Sequence, residues 1–130
     1  ERYNLNKKIK FINHCKEMPL AYSLADIVVS ASIEPEAFGR VSVEAQSMGK
    51  PLVTRDIGGS KETILNKKSG FLYKFDDPRE LAKSLNTVIQ LTQDELKSIG
   101  NEGRKNVIKK FDVETMCDTN LNEYKKLLKN

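Results

Sequence analysis

The run Asp26-Ile27-Val28-Val29-Ser30-Ala31-Ser32 constrains the fold more than any other stretch, because its apolar residues are consecutive. Alternation would mark a strand with one wet face. An unbroken β-branched run of this length, too short for a buried helix, predicts a strand covered on both faces, as in parallel sheets. Three shorter runs have the same character: "KIKFIN" (8–13), "PLVT" (51–54) and "GFLY" (70–73). Helical patterns separate them. "KEMPLAYSLA" (16–25) carries Leu20, Tyr22 and Leu24 with a proline near its start, and residues 40–49 form a helix that Gly49 and Pro51 end. "GGSKETILN" (58–66) reads as a glycine turn into a short helix. Strand–helix alternation of this kind predicts an α/β fold: a Rossmann-like parallel sheet with crossover helices.

The C-terminal end is a helical tail. Asp77-Pro78-Arg79-Glu80 supplies an N-cap, a proline at the first helical position and a capping carboxylate, ahead of the stripe Leu81, Leu85, Val88, Ile89. Thr92 and Glu95 form a capping box for a second helix with Leu96, Ile99, Val107 and Ile108, which Gly100 and Gly103 are expected to interrupt. Asp112 opens a third helix whose apolar face is Val113, Met116, Cys117, Leu121, Tyr124 and Leu128, so that packing is the expected job of Cys117. "ERYNLNKK" at the start reads as the end of a helix running into a strand, a chain entered midway.

Bulk properties exclude several classes. With 130 residues the chain fits one domain or a piece of one. No apolar run approaches the roughly eighteen residues of a membrane span, and no secretory leader is visible. The net charge of +4 comes from lysines interleaved with acids, which disfavours nucleic acid as a partner and favours anionic small molecules or a phospholipid surface. Cys15 and Cys117 lack metal-ligand spacing, and free thiols in a reducing, cytoplasmic compartment are expected.

The chemistry concentrates in "EPEAFGRVSVEAQSMGKP" (34–51). At about 100° per residue, with Val41 centring the inward face, Glu44 borders the buried stripe. A carboxylate there needs a partner, either a cation of the protein or ligand hydroxyls. Glu36 precedes the helix across Ala37, Phe38 and Gly39, where free amides of the first turn favour an anion such as phosphate. In an open α/β sheet this turn falls at the carboxyl edge of the strands, where ligands bind. Two plain alternatives stand beside this reading: Glu36 as a helix N-terminal acid and Glu44 as half of an intradomain ion pair. Gly58-Gly59 lacks both the Lys-Ser/Thr of a P-loop and the third glycine of a dinucleotide fingerprint, and reads as a tight turn capped by Glu62. Arg104 is expected to pair with an acid of its own helical bundle.

The run "EAFGRVSVEAQSMGKPLVTRDIGGSKETI" resembles the signature of the retaining glycosyltransferases of family 4, of GT-B fold: Glu, seven residues, Glu, then Gly-x-Pro and Gly-Gly-x-x-Glu. "KIKFINHCKEMPLAYSLADIVVSAS" before it, and "GFLYKFDDPRELAKSL" and "NEGRKNVIKKFDVETM" after it, extend the resemblance to both ends. It implies that Glu36, the first glutamate of the motif, contacts hydroxyls of the transferred sugar and is the catalytic residue. Ala37, Phe38 and Gly39 then lie beside the sugar and phosphates, Arg40 and Val41 near the diphosphate, and Glu44 on the nucleotide ribose. By the same resemblance His14 and Cys15 lie near the nucleobase, with His14 a plain loop residue in its own right. Ala31-Ser32 stands where the family often has Pro-Ser, and Ala37 replaces a frequent glycine.

The resemblance further implies that residues 1–130 are the latter part of a C-terminal, donor-binding domain. The acceptor-binding domain, and the Arg and Lys pair that neutralises the leaving diphosphate, belong to earlier sequence. The implied substrate is a UDP- or GDP-linked sugar with no cofactor and no metal (no Asp-x-Asp occurs), and the implied acceptor is a glycan or lipid-linked glycan of a bacterial surface, such as lipopolysaccharide. Peripheral association with the inner membrane fits the positive charge. The competing readings are a non-catalytic nucleotide- or sugar-binding module and a phosphorylase or epimerase on the same fold.

Overall fold

The computed structural model describes residues 5–74 and 76–128. The reading of the chain's first residues as a helix end falls partly on residues 1–4, outside the described part. Three parallel strands, β1 (Val28–Ser30), β2 (Leu52–Arg55) and β3 (Phe71–Tyr73), lie in the order β1-β2-β3, with Val29 opposite Val53 and Thr54 opposite Leu72. Between and around them run α1 (Met18–Leu24), α2 (Arg40–Ser47), α3 (Ser60–Thr63), α4 (Pro78–Ile89), α5 (Gln93–Lys110) and α6 (Val113–Leu127). The α/β parallel sheet with crossover helices and a helical C-terminal end is the fold that the run lengths predict.

Strand β2 shows why consecutive apolar residues were needed. Leu52 packs with Tyr22, Val28, Ala45 and Ile64 on one face of the sheet. Val53, next in sequence, points to the other face and packs with Tyr73 and Val88. Leu81, Leu85, Leu91 and Leu96 cover that second cluster. The cover thins at β1, where Val29 is 41% exposed, so β1 is not buried on both faces as expected.

The expected strand at 8–13 does not form. The segment runs without regular structure, and Phe11 is 93% exposed. A strand is completed by a neighbour's hydrogen bonds, and no strand among the described residues flanks this one. In α1 only Tyr22 is buried, and Leu20 and Leu24 face outward.

Helix α2 ends as the sequence predicts. The Lys50 N–H donates to the Ala45 carbonyl at 3.0 Å and the Gly49 N–H to Gln46 at 2.9 Å, a Schellman close. Its inward face, however, is not centred on Val41. Ser42, Ala45 and Gln46 are fully buried, whereas Val41 and Met48 are only half-buried. The helix is covered from two sides, by the sheet and by α5, and this second cover rotates the buried centre toward Ser42 and Gln46. Gln46 Nε2 donates to the Ser42 and Thr63 carbonyls, and Asn106 Nδ2 of α5 donates to the same Thr63 carbonyl, all at 3.0 Å.

Gly100 and Gly103 make that second cover possible. They do not interrupt α5, which is continuous from Gln93 to Lys110. A Cβ on Gly100 would collide with the Gly49 carbonyl, and one on Gly103 would meet Gln46 and the Ser69 carbonyl at 3.1 and 3.2 Å. Beside them Arg104 donates to the Ser47 carbonyl at 2.6 Å, so its partner is the C-terminal end of α2 and not an acid of the bundle.

The predicted caps hold at Asp77, Thr92–Glu95 and Asp112. Glu80 pairs loosely with Lys83 instead of closing a capping box, and α3 has no side-chain cap, so Glu62 does not play that part. Ile89 and Ile108 point outward from their stripes. Helix α6 has no buried residue: its apolar face, Cys117 included, is exposed, because amphipathic spacing specifies a face and not a partner.

Gly100→Ala should therefore destabilise the protein by about 1–3 kcal/mol, although alanine in a helix interior ordinarily gains up to about 1 kcal/mol over glycine. Urea unfolding measures this, and an unchanged or raised midpoint would contradict the close packing of α2 on α5.

Candidate functional site

The loops that leave β1 and β2 meet at the carboxyl edge of the sheet. The loop from Ala31 to Gly39 leads into α2, and the loop from Asp56 to Gly59 leads into α3. They are joined backbone to backbone: the Gly59 N–H donates to the Glu36 carbonyl at 2.7 Å. No side chain fits between them. A Cβ on Gly59 would lie 2.6 Å from the Ala37 carbonyl, and one on Gly58 would lie 2.5 Å from the Glu36 carbonyl. Gly58-Gly59 is thus more than a tight turn: it is the surface on which the Glu36–Phe38 segment rests. Arg55, at the end of β2, donates to the Ile33 carbonyl at 2.8 Å and pins the same loop from its other end.

Gly39 is the N-cap of α2 and sits at φ 80°, ψ 56°, a left-handed conformation that favours glycine. It offers no side chain to cap the helix. The Ser42 and Val43 N–H groups donate back to the Gly39 carbonyl, whereas those of Arg40 and Val41 have no partner among the described residues. The result is an uncapped helix mouth with free donors and the positive end of the helix dipole.

Glu36 precedes this mouth in the chain, and Glu44 lies within α2 beyond its first turn. Glu36 is half-buried and accepts a hydrogen bond from the Ser32 hydroxyl, with no cation paired to it among the described residues. Glu44 lies on the flank of α2 that neither the sheet nor α5 covers. Its Oε2 accepts from the Tyr22 hydroxyl at 2.9 Å, and its Oε1 accepts from Arg40 Nη2 at 3.1 Å. The ion pair is weak, because the Arg40 side chain is 84% exposed and such pairs on one helix contribute about 0.3–0.5 kcal/mol. The tyrosine is the firmer anchor, since its side chain is buried in the core with Ala45 and Leu52.

Arg40 and Glu44 line a cleft of about 390 Å³ together with Lys16, Met18, Pro19, Tyr22, Ser47 and Met48. Glu36 is not among the residues that line this cleft. His14 is exposed and Cys15 half-buried, and neither lines the cleft, although Lys16 next to them does. The structure therefore brings together Arg40, Glu44 and the residues just after Cys15, and sets Glu36 with the Ala37–Gly39 turn beside them. Ser32, Tyr22, Arg55 and Lys16 were not legible as site residues. Ser32 alone had a local signal, four residues ahead of Glu36. Among the described residues, no three His, Cys, Asp or Glu side chains gather where a metal ion could be held.

Burial first, and then the hydrogen bond to Glu44, push the Tyr22 hydroxyl from 10.0 up to about 12. The neutral phenol is the form the fold prefers. Its contribution to stability is complete below about pH 10 and is lost as pH rises through about 12. Tyr22→Phe should remove the most alkaline step of the tyrosinate absorbance titration, and Glu44→Gln should move that step toward the ordinary value. A Tyr22 that ionises at the ordinary value in the unaltered protein would contradict the contact.

A family model described as Glycosyl transferases group 1 matches residues 1–106. Among solved structures, a glycosyltransferase from Rickettsia africae superposes with a TM-score of 0.91 at 37% identity, over 99% of this chain and 34% of its own. The Anabaena protein HepE, crystallised with UDP, gives a TM-score of 0.90 at 32% identity, over 96% of this chain and 34% of its own. The capsular polysaccharide biosynthesis glycosyltransferase CapM of Staphylococcus aureus is 29% identical over 125 residues, 91% of this chain and 32% of its own. The chain spans about a third of the length of the relatives it matches. It belongs to the group 1 glycosyl transferases.

Proposed function

We propose that this chain is the donor-binding part, the latter portion of a C-terminal GT-B domain, of a retaining glycosyltransferase of family 4 that takes a nucleotide-linked sugar. The observation that carries this reading is the uncapped mouth of α2 flanked by Glu36 and Glu44. The ligand it fits is a ring, a diphosphate and a second ring in line. The free N–H groups of Arg40 and Val41 face the diphosphate, as helix N-termini do for anions. Glu44, held by Tyr22, accepts from the ribose hydroxyls once the exposed Arg40 side chain swings aside toward the phosphates. Glu36 and the Ala37–Gly39 turn take the transferred hexose, and the loop of His14 and Cys15, through its neighbour Lys16, borders the base. A UDP-linked sugar is the favoured donor, supported by the UDP bound in HepE.

In the reaction the bond from the sugar's anomeric carbon to the diphosphate breaks, and both electrons leave with the phosphate. Donors already aimed at that oxygen stabilise the charge as it grows, which is the largest contribution to rate in such sites. The acceptor hydroxyl then bonds to the same face of the sugar, its proton passes to the departing phosphate oxygen, and the anomeric configuration is kept. The reading needs no cofactor, and the diphosphate's remaining charge is met by basic residues outside this chain. The acceptor is a glycan or lipid-linked glycan bound by a separate N-terminal domain. CapM, named for capsular polysaccharide biosynthesis, supports a surface-glycan pathway. The net charge of +4 suits peripheral docking of the cytoplasmic enzyme on an anionic inner leaflet. Among the described residues no helix is long and apolar enough to cross a membrane.

In the complete enzyme, Glu36→Ala should lower kcat by about a hundredfold or more, the scale for a contact that acts in the transition state. Glu44→Ala should instead raise the donor KM about tenfold with a smaller change in kcat, the cost of a hydrogen bond to a charged group. Steady-state transfer from UDP-sugars measures both, and wild-type donor kinetics in either variant would overturn that residue's role.

A further inference from the structure

The turn that carries Phe38 is supported from one side by Gly59, whose backbone leaves no room for a side chain against Ala37 and Phe38. Its other support is aromatic. The Phe38 ring stands edge-on to Phe111, with centroids 5.5 Å apart and planes at 75°, the arrangement that ring quadrupoles favour. Phe38 is 46% exposed, so burial alone does not fix its ring.

Phe111 itself is firmly placed. It is the C-cap of α5, its N–H donates to the Val107 carbonyl at 2.8 Å, and the next residue, Asp112, caps α6 by accepting from the Thr115 N–H at 2.9 Å. Two helix ends therefore hold one ring against the turn that opens α2.

We infer that Phe111 is a positioning residue for the donor site: through the Phe38 ring, the α5–α6 junction sets where the Ala37–Gly39 turn and the first amides of α2 stand. This rests on the donor-binding reading above. Phe111 touches neither sugar nor diphosphate; it acts through Phe38. The contact also makes the junction of α5 and α6 sensitive to an occupied donor site, although it lies more than seventy residues away in sequence.

The test is kinetic, in the complete enzyme with a UDP-sugar. Phe111→Leu should raise the donor KM about three- to tenfold, with kcat within about twofold, the range that loss of one aromatic pair corresponds to. Phe111→Tyr should restore the wild-type KM. In a double-mutant cycle, Phe38→Leu and Phe111→Leu should combine to less than their product. If Phe111→Leu does not fold, the unaltered enzyme with 13C-labelled phenylalanine serves, where addition of UDP should shift the ring signals of Phe38 and Phe111 together. The inference is overturned if Phe111→Leu lowers Tm and leaves KM alone, if the two changes multiply independently, or if UDP moves the Phe38 signals only. Should Glu44→Ala also leave donor kinetics unchanged, the donor-binding reading falls, and this inference with it.

Discussion

The approach of α5 to α2 at Gly100 and Gly49 is the constraint on which the rest depends. The two backbones can meet this closely because Gly100 has no side chain: a Cβ there would collide with the Gly49 carbonyl. The contact lets α5 press on a second side of α2, next to the one that faces the sheet, where Gln46, Asn106 and the Thr63 carbonyl form a buried polar clamp. With two sides covered, α2 has one free flank and one free end. Glu44 occupies the flank, and the mouth at Gly39 is the end. A second pair of glycines repeats the device at the carboxyl edge of the sheet, where Gly58-Gly59 seats the Glu36 segment. The site is thus placed by backbone packing, and its side chains are added to a frame that already stands.

That frame bears on how the proposed chemistry would work. A diphosphate carries concentrated charge, and donors that must be reoriented to meet it lose much of their effect. Here the helix-mouth amides are fixed by Gly39 and its neighbours, and Glu44 is aimed by a buried tyrosine. The Arg40 side chain is loose by comparison, at 84% exposed. Its exposed pairing with Glu44 is weak enough to exchange for a ligand, which is what the proposed ribose contact of Glu44 requires.

Much of the fold was legible because local chemistry determined it. The consecutive apolar residues of β1 and β2, the caps at Asp77, Thr92 and Asp112, and the Gly49 close of α2 are all short-range patterns, and all form. What sequence pattern misjudged was non-local. Residues 8–13 have strand composition and no strand among the described residues to pair with. Gly100 and Gly103 read as breaks in a helix because the residue that needs them, Gly49 or Gln46, lies some fifty positions earlier. The apolar stripe of α6 was legible as a stripe, but its exposure was not. Of the site, the motif and the helix mouth could be read from residues 34–51. The Tyr22 anchor of Glu44, the seat under Glu36 and the Arg55 pin could not, since each joins segments more than twenty residues apart.

The central claim is that the mouth of α2 holds a diphosphate between Glu36 and Glu44. A crystal structure of the complete enzyme with UDP tests it most directly. The account predicts phosphate oxygens within hydrogen-bond distance of the Arg40 and Val41 N–H groups, and the ribose hydroxyls on Glu44 with its bond from Tyr22 intact. A nucleotide seated away from the mouth of α2, with Arg40 still paired to Glu44, would contradict it.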